Sequence, residues 1–427
     1  MPTSSQKVRD FVQRRTGTRS ESELRERLRP RTEALPARLP GGTALTAERV
    51  DARWKALRQP DSVRAEIADA SSLGRLDAFA RNIENFIGTV KVPVGIAGPL
   101  RVNGAFAHGD FHIPLATTEA ALIASYDRGA RVITEVGGCS AALLNEGVIR
   151  APGYAFRALA DAGEFVLWVT RQTDALRAAA EATTHHGRLS DVRVTVEGNH
   201  VFLQLEFFTA AAAGQNMATI ATDAVCNYIR DHTPVQPEYS FVEANFSGDK
   251  KACALSFASV RGKKVAAEVR LPALLVERRL HSTPKRMEQF LRMATTGSMI
   301  SGAFGVQGHY ANGLAALYLA TGQDVACVSE SAVGITRLEV TDDGGLYASV
   351  TLPNIVVGTV GGGTGLPSQR ACLELLGLHR PEDAPALGEV CAALSLAGEL
   401  SIIGALSAQE FTRAHSRLAR GRKPATE

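Results

Sequence analysis

The rhythm of apolar and polar positions changes several times along the chain. Residues Met1 to about Gly42 carry no sustained apolar period. They are rich in Arg, Glu, Ser and Pro, and "RPRTEALPARLPGG" reads as a linker. The pattern predicts a flexible N-terminal extension over 1–42, disordered or holding a loosely attached helix. From Thr46 to Phe86 apolar residues recur at helical spacing among charged ones, predicting a helical N-terminal domain over 43–87. "GTVKVPVGIAGP", Gly88 to Pro99, is apolar and punctuated by Gly and Pro, and predicts an extended segment.

Another texture begins near Ala151. "EFVLWVT", "LSDVRVTVEGN" and "NHVFLQLEFF" predict strands, while "TDALRAAAEATTHH" and "QNMATIATDAVCNYIRDH" predict helices. This mixture makes a small α+β domain over 151–242. From Ala252 onward long apolar helices alternate with glycine turns. Residues 88–150 and 253–427 therefore read as one large, mostly helical domain with the small one inserted, and 243–252 as the connecting loop. No internal repeat is evident.

Composition narrows the function classes. The chain has 427 residues, of which 45% are hydrophobic, enough for two or three domains with sizeable cores. A net charge of +3 is too small to predict a nucleic-acid or membrane partner. No uninterrupted apolar run approaches the roughly 20 residues that span a bilayer, and "MPTSSQKVRDFVQRRTGTRS" lacks the apolar core of a secretory signal. Six cysteines lie far apart without a C-x-x-C pair, which suits thiols in a reducing compartment better than disulfides or zinc. A soluble cytoplasmic protein without a metal is the expectation.

Against this background a few polar residues stand out. In "SFVEANFSGDKKACALSFASV", Asp249, Lys250 and Lys251 sit on a Gly-containing turn at the edge of an apolar segment. An ammonium near apolar walls needs a partner, and such groups stabilise developing negative charge; a solvated loop with an ion pair is the plain alternative. Glu119 in "PLATTEAALIASYDRGA" stands where an apolar helix is expected to start, with Thr117 and Thr118 as candidate caps. It serves either the helix dipole or, kept protonated by burial, a carbonyl oxygen. In "HYANGLAALYLATGQDVACVSES", Asn312 opens a helix and Asp324 follows the turn Thr321-Gly322-Gln323. Asp324 is a cap or, if its apolar flanks bury it, the partner of Lys250 or Lys251. The three glycines in "IVVGTVGGGTGLPSQRACLELLGL" precede a helix, as a tight turn or as backbone that approaches an anion. "AAAAGQNMATIATDA" has the same ambiguity. His415, in the basic "SAQEFTRAHSRLARGRK", is a surface residue or a general acid on a closing flap; Arg417, Arg420, Arg422 and Lys423 are solvated charges or phosphate contacts.

Taken in order, "ENFIGTVKVPVGIAGPL", "PLATTEAALIASYDRGA", "GDKKACA", "GHYANGLAALYLATGQD", "LPNIVVGTVGGGTGL" and "AGELSIIGALSAQEFTRAH" resemble the 3-hydroxy-3-methylglutaryl-CoA (HMG-CoA) reductases over about Glu84 to Arg420. "TVGGGT" and the C-terminal histidine resemble the class I form. The resemblance implies an α+β fold whose large domain is interrupted by a ferredoxin-like, non-Rossmann cofactor-binding domain. It implies a homodimer or larger homo-oligomer with active sites at the dimer interface, NADPH as cofactor with NADH as the alternative, and no metal. The reaction implied is reduction of HMG-CoA to mevalonate and CoA. The other readings are a reductase of a related acyl-CoA and an inactive CoA- or nucleotide-binding homologue.

By the same resemblance Glu119, Lys250, Asp324 and His415 match the catalytic residues, with His415 protonating the departing thiolate. Arg150 matches an arginine that pairs with the substrate carboxylate. Asp249, Lys251, Asn312, Glu243, Arg128 and His309 fall at substrate-binding positions. Thr184, His185, His186, Ala211, Gly214, Gln215, Asn216, Met217 and Arg420 fall at cofactor positions. Three departures stand out. The family's Gly-Asp-Ala-Met-Gly-Met-Asn-Met becomes Ala210 to Met217. Its Ser-Arg-Phe element becomes Thr184-His185-His186, which removes the arginine expected near the 2′-phosphate; no acidic ribose-binding residue replaces it, so NADPH stays favoured. Glu243 replaces a serine near the acyl group, a second anion that weakens HMG binding unless Lys251 or Arg150 neutralises it.

Overall fold

The computed structural model describes residues 4–408 apart from 18, 32, 34–37, 185 and 186. It divides into two compact units, Met1–Leu76 with Ile83–Gly88, and Asp77–Asn82 with Thr89–Glu427.

In the first unit the described part of 1–42 forms two helices, Ser5–Thr16 and Glu21–Leu28. Ser20 and Glu23 close a capping box at the start of the second. Helices Ala47–Leu57, Asp61–Ile67 and Ala70–Leu73 follow. Val50 and Trp54 are buried there. The buried Arg53 guanidinium donates to the carbonyls of Pro40 (2.8 Å), Phe86 (3.0 Å) and Gly42 (3.2 Å), which satisfies a cation away from water.

The second unit is built on a ten-stranded sheet. Its strands are β1 (Val94–Gly104), β2 (His108–Ala116), β3 (Cys139–Arg150), β4 (Gly153–Ala155), β5 (Arg188–Glu197), β6 (His200–Phe208), β7 (Tyr239–Phe241), β8 (Gly262–Leu271), β9 (Ile335–Val340) and β10 (Leu346–Ile355). The long strand β3 belongs to two neighbourhoods. Its first part pairs antiparallel with β8, from Ser140 opposite Glu268 to Gly147 opposite Gly262. Its last residues pair with β6, Val148 opposite Phe207 and Arg150 opposite Leu205. Two hydrophobic cores lie on either side of this hand-over.

The smaller core is wrapped by β4, helices Leu159–Val169 and Thr173–Glu181, β5, β6, helix Gln215–His232 and β7. The strand order β7-β4-β6-β5, all antiparallel, is the ferredoxin-like arrangement expected. One element is not as expected: "EFVLWVT" lies in helix Leu159–Val169 rather than in a strand. Asp161 accepts the Ala158 N–H (3.2 Å) at its start, and Ala162, Phe165 and Val169 turn one face to the core. A short apolar run does not reveal its period until its flanks are read.

The larger core surrounds helix Ala384–Ser407, which is buried on nearly every side. That helix has the length and apolarity of a membrane span, and its burial explains the composition. Glu389 and Glu399 are its buried charges. Glu389 accepts N–H groups of Phe106 (2.9 Å), Ala107 (2.7 Å) and Leu143 (3.0 Å), so its carboxylate ties β3 and the β1–β2 turn to the helix. Helix Leu122–Glu135 packs on the same helix through Gly129, where a Cβ would lie 2.5 Å from the Ala397 carbonyl carbon. The stretch after Ala252, read as helices and glycine turns, also contains β8, β9 and β10. Their burial alternates along the strand, as in the "KKVAAEVRL" portion of β8.

Candidate active site

The Asp249-Lys250-Lys251 turn lies on the wall of a cleft of about 600 Å³. Lys250 Nζ is 2.8 Å from Asp324 Oδ2, both side chains being roughly two-fifths exposed. Asp324 follows the end of helix Tyr310–Thr321 and also caps a short 3-10 turn, accepting the Ala326 N–H at 3.0 Å. The apolar flanks led to an expectation of burial. The chain instead leaves the helix at Gly322 and brings the carboxylate out onto the cleft wall. The hydrogen bond to Asp324 is the main cause that raises the Lys250 pKa, so the ammonium is held charged.

The cleft's other walls are Gly214 to Met217, opening helix Gln215–His232, and the glycine run Gly361 to Gly363. Gly214 caps its helix without a side chain, leaving first-turn N–H groups for an incoming acceptor. At Gly361 and Gly362 φ is 78° and 55°, and a Cβ there would meet open space. Asn82 Nδ2 donates to Gly362 O (2.7 Å) and steadies the run. Gln215, in place of a family methionine, reaches the Cys327 thiol (2.9 Å). Ala211 accepts the Thr359 N–H (3.2 Å), and the Thr184 hydroxyl accepts the Gly187 N–H (3.1 Å). His185, His186, His415 and Arg420 lie outside the described residues.

Under the turn is a buried charge network. Arg150, at the end of β3, is ion-paired with Asp249 at 3.1 Å, and it donates to Thr219 Oγ1 (2.9 Å) and Gln215 O (3.3 Å). Arg150, matched to an arginine that pairs with the substrate carboxylate, is thus also tied to Asp249 within the chain. Arg261 binds the other Asp249 oxygen and lies 2.7 Å from Glu330 Oε2. Burial works to raise the Asp249 pKa, but Arg261, Arg150 and Lys250 outweigh it and hold the carboxyl below its usual range. Lys251 does not pair with Asp324; its Nζ donates to Asp249 O at 2.7 Å. Glu243 accepts the N–H groups of Asn245 (2.9 Å) and Ala151 (3.3 Å), so backbone amides rather than Lys251 or Arg150 hold that anion.

Glu119 lies elsewhere. It is exposed, not buried, and precedes the helix that starts at Leu122; Thr117 Oγ1 accepts its own N–H (3.0 Å) instead of capping that helix. Asn312 Nδ2 donates to Glu119 Oε2 at 2.7 Å. With Arg128 and His309 they line a second cleft of about 560 Å³. Arg128 is anchored to Ser401 O (2.8 Å) and Oγ (2.9 Å). His309 stacks on Tyr126, ring centroids 4.7 Å apart, and burial lowers its pKa to about 4, so it is neutral. Its Nε2 is buried without a hydrogen-bond partner among the described residues. Glu399 accepts the N–H groups of Gly308 (3.0 Å) and His309 (2.7 Å) and the Thr336 hydroxyl (2.8 Å), fixing the loop before Asn312.

Glu119, Lys250 and Asp324, matched together to catalytic residues, thus do not meet within one chain. Glu119 touches the first turn of the twelve-residue helix Tyr310–Thr321, and Asp324 follows its last. Such a helix separates them by about 18 Å. Arg261, Glu330 and Glu399 were not singled out from sequence. For Glu330 and Glu399 the signal was present: each is an isolated charge among apolar or small residues, where burial demands a partner; Arg261, two residues before Lys263-Lys264, gave no such signal.

The chain thus joins a ferredoxin-like module to a larger sheet, with an ammonium–carboxylate pair on the wall of a glycine-lined cleft. The sequence profile of the family described as "Hydroxymethylglutaryl-coenzyme A reductase" matches residues 49–420. The chain belongs to that family. It is 40% identical over 375 residues to the 3-hydroxy-3-methylglutaryl-coenzyme A reductase of Pyrococcus horikoshii, covering 86% of this chain and 91% of that one. To the reductase of Haloferax volcanii it is 44% identical over 350 residues, covering 81% and 86%. A solved structure of the class II 3-hydroxy-3-methylglutaryl-CoA reductase from Streptococcus pneumoniae bound to NADPH shares the fold at a TM-score of 0.62 and 19% identity, covering 85% of this chain and 97% of that one.

Proposed function

We propose that the chain reduces the thioester of HMG-CoA to mevalonate and CoA, using two molecules of NADPH. The observation that carries this reading is the Lys250–Asp324 pair, 2.8 Å apart, on the wall of the glycine-lined cleft. The cleft suits a dinucleotide: Gly361 and Gly362 offer a cradle free of side chains, and the uncapped helix at Gly214 offers amides to a pyrophosphate. Gly214 to Met217 and Gly361 to Gly363 would hold it. When bound, NADPH supplies one hydride to each of the two reductions.

Lys250 faces the substrate carbonyl and stabilises the negative charge that develops on its oxygen in both reductions. Asp324 keeps that ammonium charged and aimed. Between the two steps the C–S bond breaks and the CoA thiolate takes a proton, a role we give to His415. Glu119 gives a proton to the oxygen of the aldehyde stage. Asn312 donates to Glu119 Oε2 and so orients its carboxyl group. Because Glu119 and Lys250 stand at opposite ends of one helix, we place the Glu119 of a second copy beside Lys250, in a homodimer or larger assembly.

The class I-like placing rests on "TVGGGT" and the C-terminal histidine. The 151–242 cofactor domain is supported by its separate core and ferredoxin-like order. All six cysteines are free thiols, which suits the cytoplasm. The test is to follow NADPH and NADH oxidation separately with HMG-CoA and to identify the product. Mevalonate formed with two NADPH consumed supports the proposal; a chain inert to HMG-CoA with both cofactors overturns it.

A further inference from the structure

Beneath Lys250 lies a carboxylate that the chemistry above does not use. Lys250 stands at φ 55°, a left-handed conformation uncommon outside glycine. Its backbone N–H donates to Glu330 Oε1 at 3.2 Å. Glu330 is fully buried, and its other oxygen lies 2.7 Å from Arg261 Nε. Arg261, 2% exposed, in turn grips Asp249, the residue just before Lys250. Glu330 therefore holds both residues of the turn, Lys250 directly and Asp249 through the guanidinium.

A buried ion pair is weak evidence of stabilisation, since apolar residues of similar volume often serve a core as well or better. What they lack is an acceptor for the Lys250 N–H. The geometry points to Glu330 as a positioning residue for the reduction: as a carboxylate it fixes the turn at Lys250 and the Arg261 guanidinium together, and so aims the Lys250 ammonium at Asp324. This rests on the reading of Lys250 as the group that stabilises the oxyanion.

The groups facing Glu330 are Arg261 and Asp249, the Lys250 N–H, the Cys327 thiol and the Tyr318 hydroxyl. Burial pushes the Glu330 carboxyl up to about 7 against the pull of Arg261 and the Lys250 N–H. As pH falls through that value the carboxylate takes a proton, Arg261 keeps only Asp249 as a counter-charge and the turn loosens. The rate should then carry an acid limb that belongs to Glu330.

The test compares wild type, Glu330→Gln, Glu330→Asp and Lys250→Ala, measuring kcat and KM with HMG-CoA and NADPH on both sides of pH 7, with the folded fraction followed by circular dichroism. Glu330→Gln should lower kcat on the order of 10- to 100-fold, the range in which small misplacements act. Its KM for HMG-CoA should change little and its acid limb should vanish. Glu330→Asp, which keeps the charge, should recover part of the rate and shift the limb. Wild-type kcat with an unchanged acid limb in Glu330→Gln overturns the proposal, as does a loss of rate that only follows lost folded protein. If Glu330→Gln does not fold, Glu330→Asp decides: a partial rate loss with a shifted limb supports the role, and wild-type behaviour overturns it. An inactive wild type, or a fully active Lys250→Ala, instead defeats the functional reading on which the proposal stands.

Discussion

Lys250 and His415 have separable duties at the level of single residues. Each hydride transfer builds charge on oxygen, so Lys250→Ala should damage thioester reduction and free-aldehyde reduction alike. A His415 variant that cannot transfer a proton should lose on the order of 10²–10⁴-fold in thioester reduction and much less with the aldehyde, which releases no thiolate. Steady-state rates on the two substrates check this; equal losses in both would remove the thiolate role from His415. Buried carboxyls make a second residue-scale statement. Burial raises Glu399 from 4.5 to about 7 against the hydrogen bonds of Thr336, Gly308 and His309. A carboxyl whose folded pKa is raised favours folding most while protonated in both states, below about 4.5, and that contribution is lost as pH rises through about 7. A shift of this size corresponds to about 3 kcal/mol. Glu399→Gln should therefore flatten the pH dependence of stability between pH 5 and 8, measured by urea unfolding at each pH. An unchanged slope would mean that Glu399 does not titrate there.

Helix and strand packing decide how much of this was readable in advance. Helix Gln215–His232 and strand β6 follow from period and composition, because each is long and half-buried with a clear face. "EFVLWVT" failed for the opposite reason: a short apolar run has no polar face to reveal its period. The family blocks led to Lys250, Asp324, Glu119 and Asn312, but not to Arg261, Glu330 or Glu399, whose partners are distant in sequence and meet only once β3, β8 and the central helix are packed. Apolar flanks pointed to burial for Asp324, and burial was one of two readings for Glu119; both are exposed, since a residue just past or just before a helix escapes the face its neighbours bury. Packing also gives an element-scale prediction. Helix Leu122–Glu135 meets the central helix at Gly129, with no room for a Cβ against the Ala397 backbone. Gly129→Ala should destabilise by roughly 1–3 kcal/mol or more through forced separation of the two helices. The check is the urea midpoint at unchanged m-value, and a shift worth less than about 0.5 kcal/mol, the scale of an ordinary surface substitution, would contradict the close contact.

For the whole molecule, the decisive feature is that the two halves of the proposed site stand at opposite ends of one helix. Lys250 and Asp324 line one cleft, Glu119, Asn312 and His309 another. Met293, Met299 and Ile300 on helix Pro284–Ser301 are exposed apolar side chains, the kind of surface that a second copy covers. If Lys250 of one chain works with Glu119 of the next, two different defects can be placed on separate chains and one intact site remains in each mixed dimer. The direct measurement is therefore activity of Glu119→Gln and Lys250→Ala chains, each inactive alone, co-expressed with different tags. Random pairing should restore about a quarter of wild-type HMG-CoA reduction, and doubly tagged dimers about half, as two-fold symmetry requires. A mixture no more active than its two parents would show that each site is completed within a single chain, contrary to the arrangement proposed.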